Sequence, residues 1–327
     1  MTCLFRFDVK WGVWSAFAAM SLESHANEHR QTAANLRGIG YMMLAQALFI
    51  GNDTLAKLAS EHIPSTQIMA LRGVFAILAI LAIGWRMGAL RHMRGMFEKR
   101  VIVRSILEAV VAIMFLTALA HIALGDITVI NQMTPLFLVA LSAVVLKEIV
   151  GWRRWTAVAV GFIGVVMIVR PSGEGINIFA LLAIIVAALV AMRDLITRQI
   201  SPAIPSAIVA LAATLSVCAL GFAGAAVQEW KPVDPQVGAY IVGSAVFVAG
   251  GNFFVVHALR EAEVSVVAPY RYSAVLWALL IAFFVWGDVP DALAIAGMAL
   301  VVGAGLYTAH REALRARSVF RGSRKRA

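Results

Sequence analysis

Charge is scarce in this chain. Asp, Glu, Lys and Arg make up 14% of its 327 residues, against about 25% in a soluble domain. With 61% of the residues apolar and a mean hydropathy of +0.85, no fold in water could hide the apolar surface. Part of the solvent must be lipid. Cysteine is nearly absent as well: Cys3 and Cys218 make no disulfide framework, and Cys218 sits inside an apolar run. No Gly-x-x-x-x-Gly-Lys-Ser/Thr loop is present for nucleotide phosphates, nor any His-Glu-x-x-His or Gly-x-Ser-x-Gly. Neither a primary pump acting alone nor a membrane hydrolase is expected, so the chain reads as no enzyme, with no cofactor. His25 and His29 are half of a metal site with no further ligand nearby, and a solvated tail is the plainer reading. Period-2 alternation is missing too, which argues against a transmembrane barrel.

What the chain has is long apolar runs. Crossing a hydrocarbon slab about 30 Å thick takes about 20 residues of helix. That ruler gives ten candidates: Gly38–Ala59, Pro64–Trp85, Val101–His121, Ile127–Leu146, Trp155–Val169, Ile176–Thr197, Ile204–Val227, Val237–Leu259, Val264–Trp286 and Ala292–Thr308. Pro and Gly mark the breaks at Pro64, Pro171-Ser172-Gly173, Pro202, Pro205, Pro232 to Pro235 and Pro290. The links are short, so sequence neighbours run antiparallel. The net charge of +10 is spread in short basic clusters between these runs, which sets loops against a membrane rather than lining a nucleic-acid groove. With the N-terminus inside, 22 of the 28 Lys and Arg are cytoplasmic, only Arg170 and Lys231 lie outside, and Lys57, Arg72, Arg193 and Arg271 fall within spans. Both termini are therefore expected in the cytoplasm. Residues 1–36 read as an exposed, poorly ordered cytoplasmic leader. The apolar stretch Trp11–Ala19 resembles a secretory signal, but cleavage there contradicts the charge count, and Met20 is a plausible start.

The chain also aligns with itself. Ala47–Ser65 matches Ala188–Ser206 without a gap, placing Asp53 on Asp194, Lys57 on Arg198, Ser60 on Ser201 and Pro64 on Pro205. Further on, Asp126-Ile127-Thr128-Val129-Ile130 matches Glu263-Val264-Ser265-Val266-Val267. Each is followed by a span, an acidic turn (Lys147-Glu148 and Gly287-Asp288) and a Gly-rich last helix. The repeat holds five spans, an odd number, so its second copy enters the bilayer upside down. The expected fold is an all-α integral membrane protein of ten transmembrane helices in two inverted five-helix repeats. The first covers 37–171 and the second 172–309, with a leader at 1–36 and a basic tail at 310–327. Secondary transporters are built this way, with the substrate between the halves.

Charges inside spans are expensive and mark function. Asp53 and Arg72 fall at similar depths below the outer surface. Asp194 and Arg271 fall below the inner one. The pattern suggests two charged layers that line or gate a path. The plain alternative is that Lys57, Arg193, Asp194 and Arg198 snorkel to the headgroups, which is the reading taken for Lys57 and Arg198. Glu108 is expected to pair with Arg104 as a structural i, i+4 contact. Asn131-Gln132-Met133-Thr134-Pro135 and Ala268-Pro269-Tyr270-Arg271-Tyr272 occupy equivalent places in the two halves, each with a helix-breaking proline. The candidate substrate-binding or gating residues are thus Asp53, Arg72, Asn131, Gln132, Asp194, Tyr270, Arg271, Tyr272 and Trp277. The aromatics are suited to stacking or cation–π contact, although lipid contact or packing serves Trp277 as well. His121 and His257 read as helix-end residues. Ala157-x-x-x-Gly161 and Ala299-x-x-x-Gly303 read as close-packing faces, for the scaffold or for a homodimer.

These residues resemble the ten-helix, two-repeat EamA-type members of the drug/metabolite transporter superfamily, over roughly residues 36–312. The resemblance is carried by Asn52-Asp53 with Lys57, by Arg72, and by Trp152-Arg153-Arg154-Trp155 leading into Val160-Gly161-Phe162-Ile163-Gly164. Arg170-Pro171, Arg193-Asp194 and Ala268–Tyr272 complete it. Within that superfamily the Pro-Tyr-Arg-Tyr and Trp-Arg-Arg-Trp stretches look most like bacterial S-adenosylmethionine uptake transporters, and riboflavin transporters are similar in general pattern. The resemblance implies secondary transport of a small organic metabolite across the bacterial inner membrane. A membrane scaffold or receptor is the rival class, but it has no need of paired intramembrane charges or symmetric helix breaks.

Overall fold

A computed structural model of the chain describes residues 5–145, 152–169, 177–262 and 264–324. The turns expected at Lys147-Glu148 and at Arg170 to Gly173, and Glu263 of the repeat, lie outside the described residues. Among the described residues every regular element is helical: α1 (Phe5–Ser60), α2 (Ser65–Arg86), α3 (Lys99–His121), α4 (Leu124–Asn131), α5 (Thr134–Val145) and α6 (Trp152–Val169) come first. They are followed by α7 (Ile178–Thr197), α8 (Ser206–Ala223), α9 (Pro235–Glu261), α10 (Val264–Val267), α11 (Ser273–Trp286) and α12 (Ala292–Arg324). Short 3₁₀ turns occupy Ala89–Phe97, Gly224–Ala226 and Ala268–Tyr272.

Among the described residues, seven stretches are long and apolar enough to cross a membrane: Ser65–Arg86, Lys99–His121, Leu124–Leu141, Ile178–Thr197, Ser206–Ala226, Pro235–Leu259 and Ala268–Trp286. Two shorter apolar helices, Trp155–Val169 and Ala292–Thr308, accompany them. The span expected within α1 carries Gln46, Asn52, Asp53 and Lys57, which make it the most polar of the ten candidates.

Local chemistry sets the ends. Pro64 and Pro205 stand in extended conformation just before α2 and α8, where a missing N–H costs nothing. Asp234, Asn177 and Asp291 accept hydrogen bonds from Val237 N (2.7 Å), Phe179 N (2.9 Å) and Ala294 N (2.9 Å), capping α9, α7 and α12. Gly287, at φ 72°, turns the chain out of α11 in a conformation that favours glycine. Gln67, buried in the first turn of α2, clamps the loop before α9. Its Nε2 donates to Lys231 O (2.7 Å) and its Oε1 accepts from Lys231 N (3.1 Å).

The helices pack in a defined set of pairs. α1 lies along α9, α3 along α7, α2 along α8, and α6 along α12, while α4 meets α11. α3 also packs on α8, and α2 on α9. Two crossings bring backbones together. A Cβ on Gly221 of α8 would lie 2.6 Å from Ala70 N of α2, and one on Gly164 of α6 would lie 2.6 Å from Gly297 O of α12. Gly161 is likewise packed, on Leu136. Gly303 is not: nothing lies within 4 Å of its would-be Cβ, and both it and Ala299 are exposed. Among the described residues, Ala299-x-x-x-Gly303 therefore packs on no other helix of this chain, which leaves it free of a scaffold role. The contact face of α12 is one turn around, where Gly297, Val301 and Ala304 point inward.

Candidate functional site

The two broken helices expected from Pro135 and Pro269 are present, and they touch. Pro135 has no N–H to give Asn131 O, and the helix stops at Asn131 and restarts at Thr134. The Thr134 hydroxyl takes over the freed acceptor, donating to Asn131 O at 2.8 Å. In the second half, Ala268–Tyr272 tightens to a 3₁₀ turn between α10 and α11. Gln132 Nε2 then donates to Arg271 O at 3.2 Å, across 139 residues of sequence. Asn131 and Gln132 are half-buried, while Tyr270 and Arg271 are exposed. Tyr272 faces elsewhere. It is buried against Gly305 of α12, and its hydroxyl has no hydrogen-bond partner among the described residues. Trp277 is pinned to α1, its Nε1 donating to Met43 O at 3.1 Å.

The first charged layer is a relay. Arg72 Nη1 donates to Asn52 Oδ1 (3.1 Å), and Asn52 Nδ2 donates to Asp53 Oδ1 (2.9 Å). Arg72 and Asp53 are half-buried and Asn52 is buried, so α1 and α2 share one polar cluster inside apolar surroundings. The sequence placed Arg72 and Asp53 in one layer without showing that Asn52 joins them.

The second layer is denser. Arg193 Nη1 reaches both oxygens of Glu108 at 3.1 Å, while its Nε and Nη2 hold Asp194 Oδ1 at 3.0 and 2.7 Å. Arg104 approaches Glu108 at 3.4 Å, as the i, i+4 spacing implied, and also donates to Thr197 Oγ1 at 3.2 Å. Arg193 therefore does not snorkel. It ties α7 to α3 and orients Asp194. In both layers the residue preceding the aspartate, Asn52 or Arg193, donates to its Oδ1.

Lys57 also departs from the snorkelling expected of it. Its Nζ donates to Leu119 O at 3.1 Å and to Ile122 O, the last carbonyls of α3, and lies 5.5 Å from the Trp286 ring centre. Trp286 Nε1 in turn donates to Glu61 Oε1 at 3.3 Å. Close by, a cavity of about 380 Å³ is lined by Asp126, Asp288 and Asp291 together with Gly125, Leu279 and Met298, among others. None of the nine predicted site residues lines it. Asp126 and Asp288 entered the repeat alignment, but nothing in the sequence marked them as neighbours around a cavity. His121 ends α3 as expected and stacks on Phe179 with ring centres 3.9 Å apart. His257 lies within the last turns of α9, its Nδ1 2.9 Å from Phe253 O.

Comparison with known proteins agrees with this architecture. Residues 36–170 match the EamA-like transporter family. The chain is 26% identical to an S-adenosylmethionine uptake transporter of Rickettsia felis, over 85% of this chain and 94% of that one. It is 26% identical to the pseudopaline exporter CntI of Pseudomonas aeruginosa (81% and 93% covered). It is 25% identical to a riboflavin transporter of Vibrio cholerae (82% and 91%). One solved crystal structure shares the fold, with a TM-score of 0.57 at 19% identity over 87% of this chain and 99% of that one. The chain is a multi-pass membrane protein that carries an EamA-family domain at residues 36–170 and is related along most of its length to small-molecule transporters.

Proposed function

We propose that this protein is a secondary transporter that moves a small organic metabolite across the bacterial inner membrane by alternating access. Its two halves are inverted five-helix repeats, 37–171 and 172–309, with both termini cytoplasmic. The observation that carries the reading is the bond from Gln132 to Arg271 O, which joins two broken helices at repeat-equivalent positions. Such breaks put backbone and side-chain polar groups where a substrate loses its water. The packing pairs support the repeat. Exchanging the halves maps α1–α9 onto α7–α3, and α3–α8 onto α9–α2. The pairs α2–α8 and α6–α12 map onto themselves. Asp53 with Arg72 then faces one side of the membrane and Asp194 the other, with Asn131, Gln132, Tyr270, Arg271 and Trp277 between them and Tyr272 turned away toward α12. The substrate class we assign is an S-adenosylmethionine-like compound or a related amino-acid or nucleoside metabolite, after the relative in Rickettsia felis.

The test is uptake of radiolabelled S-adenosylmethionine into proteoliposomes, with riboflavin as the competing candidate. Asp53→Asn, Arg72→Gln and Arg271→Gln are measured beside wild type at matched insertion. Each replacement is expected to lower uptake by about tenfold, the effect of roughly 1.4 kcal/mol at the site. Normal uptake in all three refutes the site. Uptake of riboflavin alone refutes the substrate class.

A further inference from the structure

Lys57 and Arg198 align in the two repeats, yet the structure treats them differently. The last carbonyls of any helix lack intrahelical donors, and a cation there also meets the negative end of the helix dipole. Lys57 fills that role for α3, bonding Leu119 O and Ile122 O across 62 and 65 residues of sequence. The charges of Asp288, Glu61 and Asp126 surround it, and Trp286 covers it. α1 and α3 are packed together at this end.

The repeat-equivalent arrangement would seat Arg198, at the end of α7, on the last carbonyls of α9. The acceptors are built alike: α3 leaves its helix at Ile122 with φ −122° and ψ 160°, and α9 at Ala262 with φ −124° and ψ 163°. The corresponding carbonyls are those of Leu259 and Ala262. In the structure, however, Arg198 is exposed, its guanidinium meets no α9 carbonyl among the described residues, and α7 and α9 are not packed together. One of two equivalent cation-to-helix-end contacts is made and the other is not.

From this asymmetry we infer that Lys57 and Arg198 are reciprocal latches, Lys57 closing the face at the α1–α3 end and Arg198 closing the opposite face in the alternate conformation. The inference rests on the two-repeat reading above and adds the residues on which closure hangs. The structure is then the state closed at the Lys57 face and open at the Arg198 face. Conversion releases Lys57, returns the α3 carbonyls to water, and brings Arg198 onto α9.

Spin-label distances test this on the full chain in lipid nanodiscs, with Cys3 and Cys218 replaced by Ser. Labels at His62→Cys and His121→Cys report the Lys57 face, and labels at Gln199→Cys and Leu259→Cys report the Arg198 face. Lys57→Ala is expected to shift the population toward a long first distance and a short second one by about tenfold, ~1.4 kcal/mol. Lys57→Arg keeps the wild-type distribution. Adding Arg198→Ala to Lys57→Ala reverses the shift. If Lys57→Ala does not fold, Lys57→Gln takes its place, retaining a neutral donor and giving a smaller shift in the same direction. Distances that stay fixed, or that move the same way in the single and double variants, overturn the latch. Because the measurement needs no substrate, reciprocal movement without transport sinks the transport reading alone. Transport with immobile distances sinks the latch alone.

Discussion

Arg193 offers the sharpest energetic test, because its guanidinium divides four contacts between two carboxylates. Two go to Glu108 at 3.1 Å and two to Asp194 at 2.7 and 3.0 Å. Hydrogen bonds to charged groups contribute about 1.5–3 kcal/mol when desolvated. The side chains of Arg193, Glu108 and Asp194 retain 21%, 26% and 41% of their exposure, so screening trims that range. Removing the guanidinium in Arg193→Met leaves Glu108 with only Arg104, at 3.4 Å, and takes the donors from Asp194 Oδ1. We expect Arg193→Met to cost about 2–3 kcal/mol, near the lower end of the range for breaking a buried pair. Glu108→Gln should cost less, because it keeps one acceptor. The decisive quantity is the coupling from the double-mutant cycle, expected at about 1–2 kcal/mol in favour of the pair. Thermal unfolding in detergent, followed by tryptophan fluorescence, supplies the stabilities, and uptake at matched insertion shows whether Asp194 must be held. Additivity within about 0.5 kcal/mol would mean that the two residues do not interact, and the reasoning fails.

Three further outcomes follow from geometry. Gly164→Ala and Gly221→Ala each press a methyl group onto backbone at 2.6 Å, and should destabilise by about 1–3 kcal/mol on unfolding. Gly303→Ala meets nothing within 4 Å and should be neutral or stabilising by up to ~1 kcal/mol from helix propensity; equal losses at all three positions contradict the described crossings. Tyr272→Phe removes a buried hydroxyl that has no partner, so melting temperature should hold or rise, and a clear drop would reveal a hydrogen bond to that oxygen. Trp277→Phe loses the bond to Met43 O and should cost about 0.5–1.5 kcal/mol, with Trp277→Ala costing more through lost packing.

Which of these features the sequence could show depended on how local their causes are. Pro135 and Pro269 announce helix breaks by themselves, because a missing N–H acts on the residue four positions back. Asp53 and Asp194 stood out because an ionised group in an apolar run needs compensation wherever it folds. What the sequence hid was partnership. Lys57 has a long flexible stem, and nothing in its neighbours distinguishes a headgroup from the end of α3, 62 residues away. For Arg193 the sequence offered snorkelling only as an alternative and named no partner, because Glu108 already had a local partner in Arg104. The Gly303 stripe matched a spacing rule that specifies small residues but not the direction they face, and only the rotation of α12 decides that.

The crossings of α2 with α8 and of α6 with α12 have a mechanical consequence. On the two-repeat reading proposed above, each pairs a helix with its own counterpart, so exchanging the roles of the halves leaves both crossings as they are. Each is also made at glycines where backbone rests on backbone, Gly221 on Ala70 and Gly164 on Gly297. Contacts of that kind do not slide, because any translation drives a carbonyl or an amide into its neighbour. They act as two fixed bearings. On that reading, motion between the halves would be a rocking about these joints, with the largest displacements in α1, α3, α7 and α9. A covalent bridge across either crossing should leave the rocking free, whereas a bridge between α1 and α3 should arrest it.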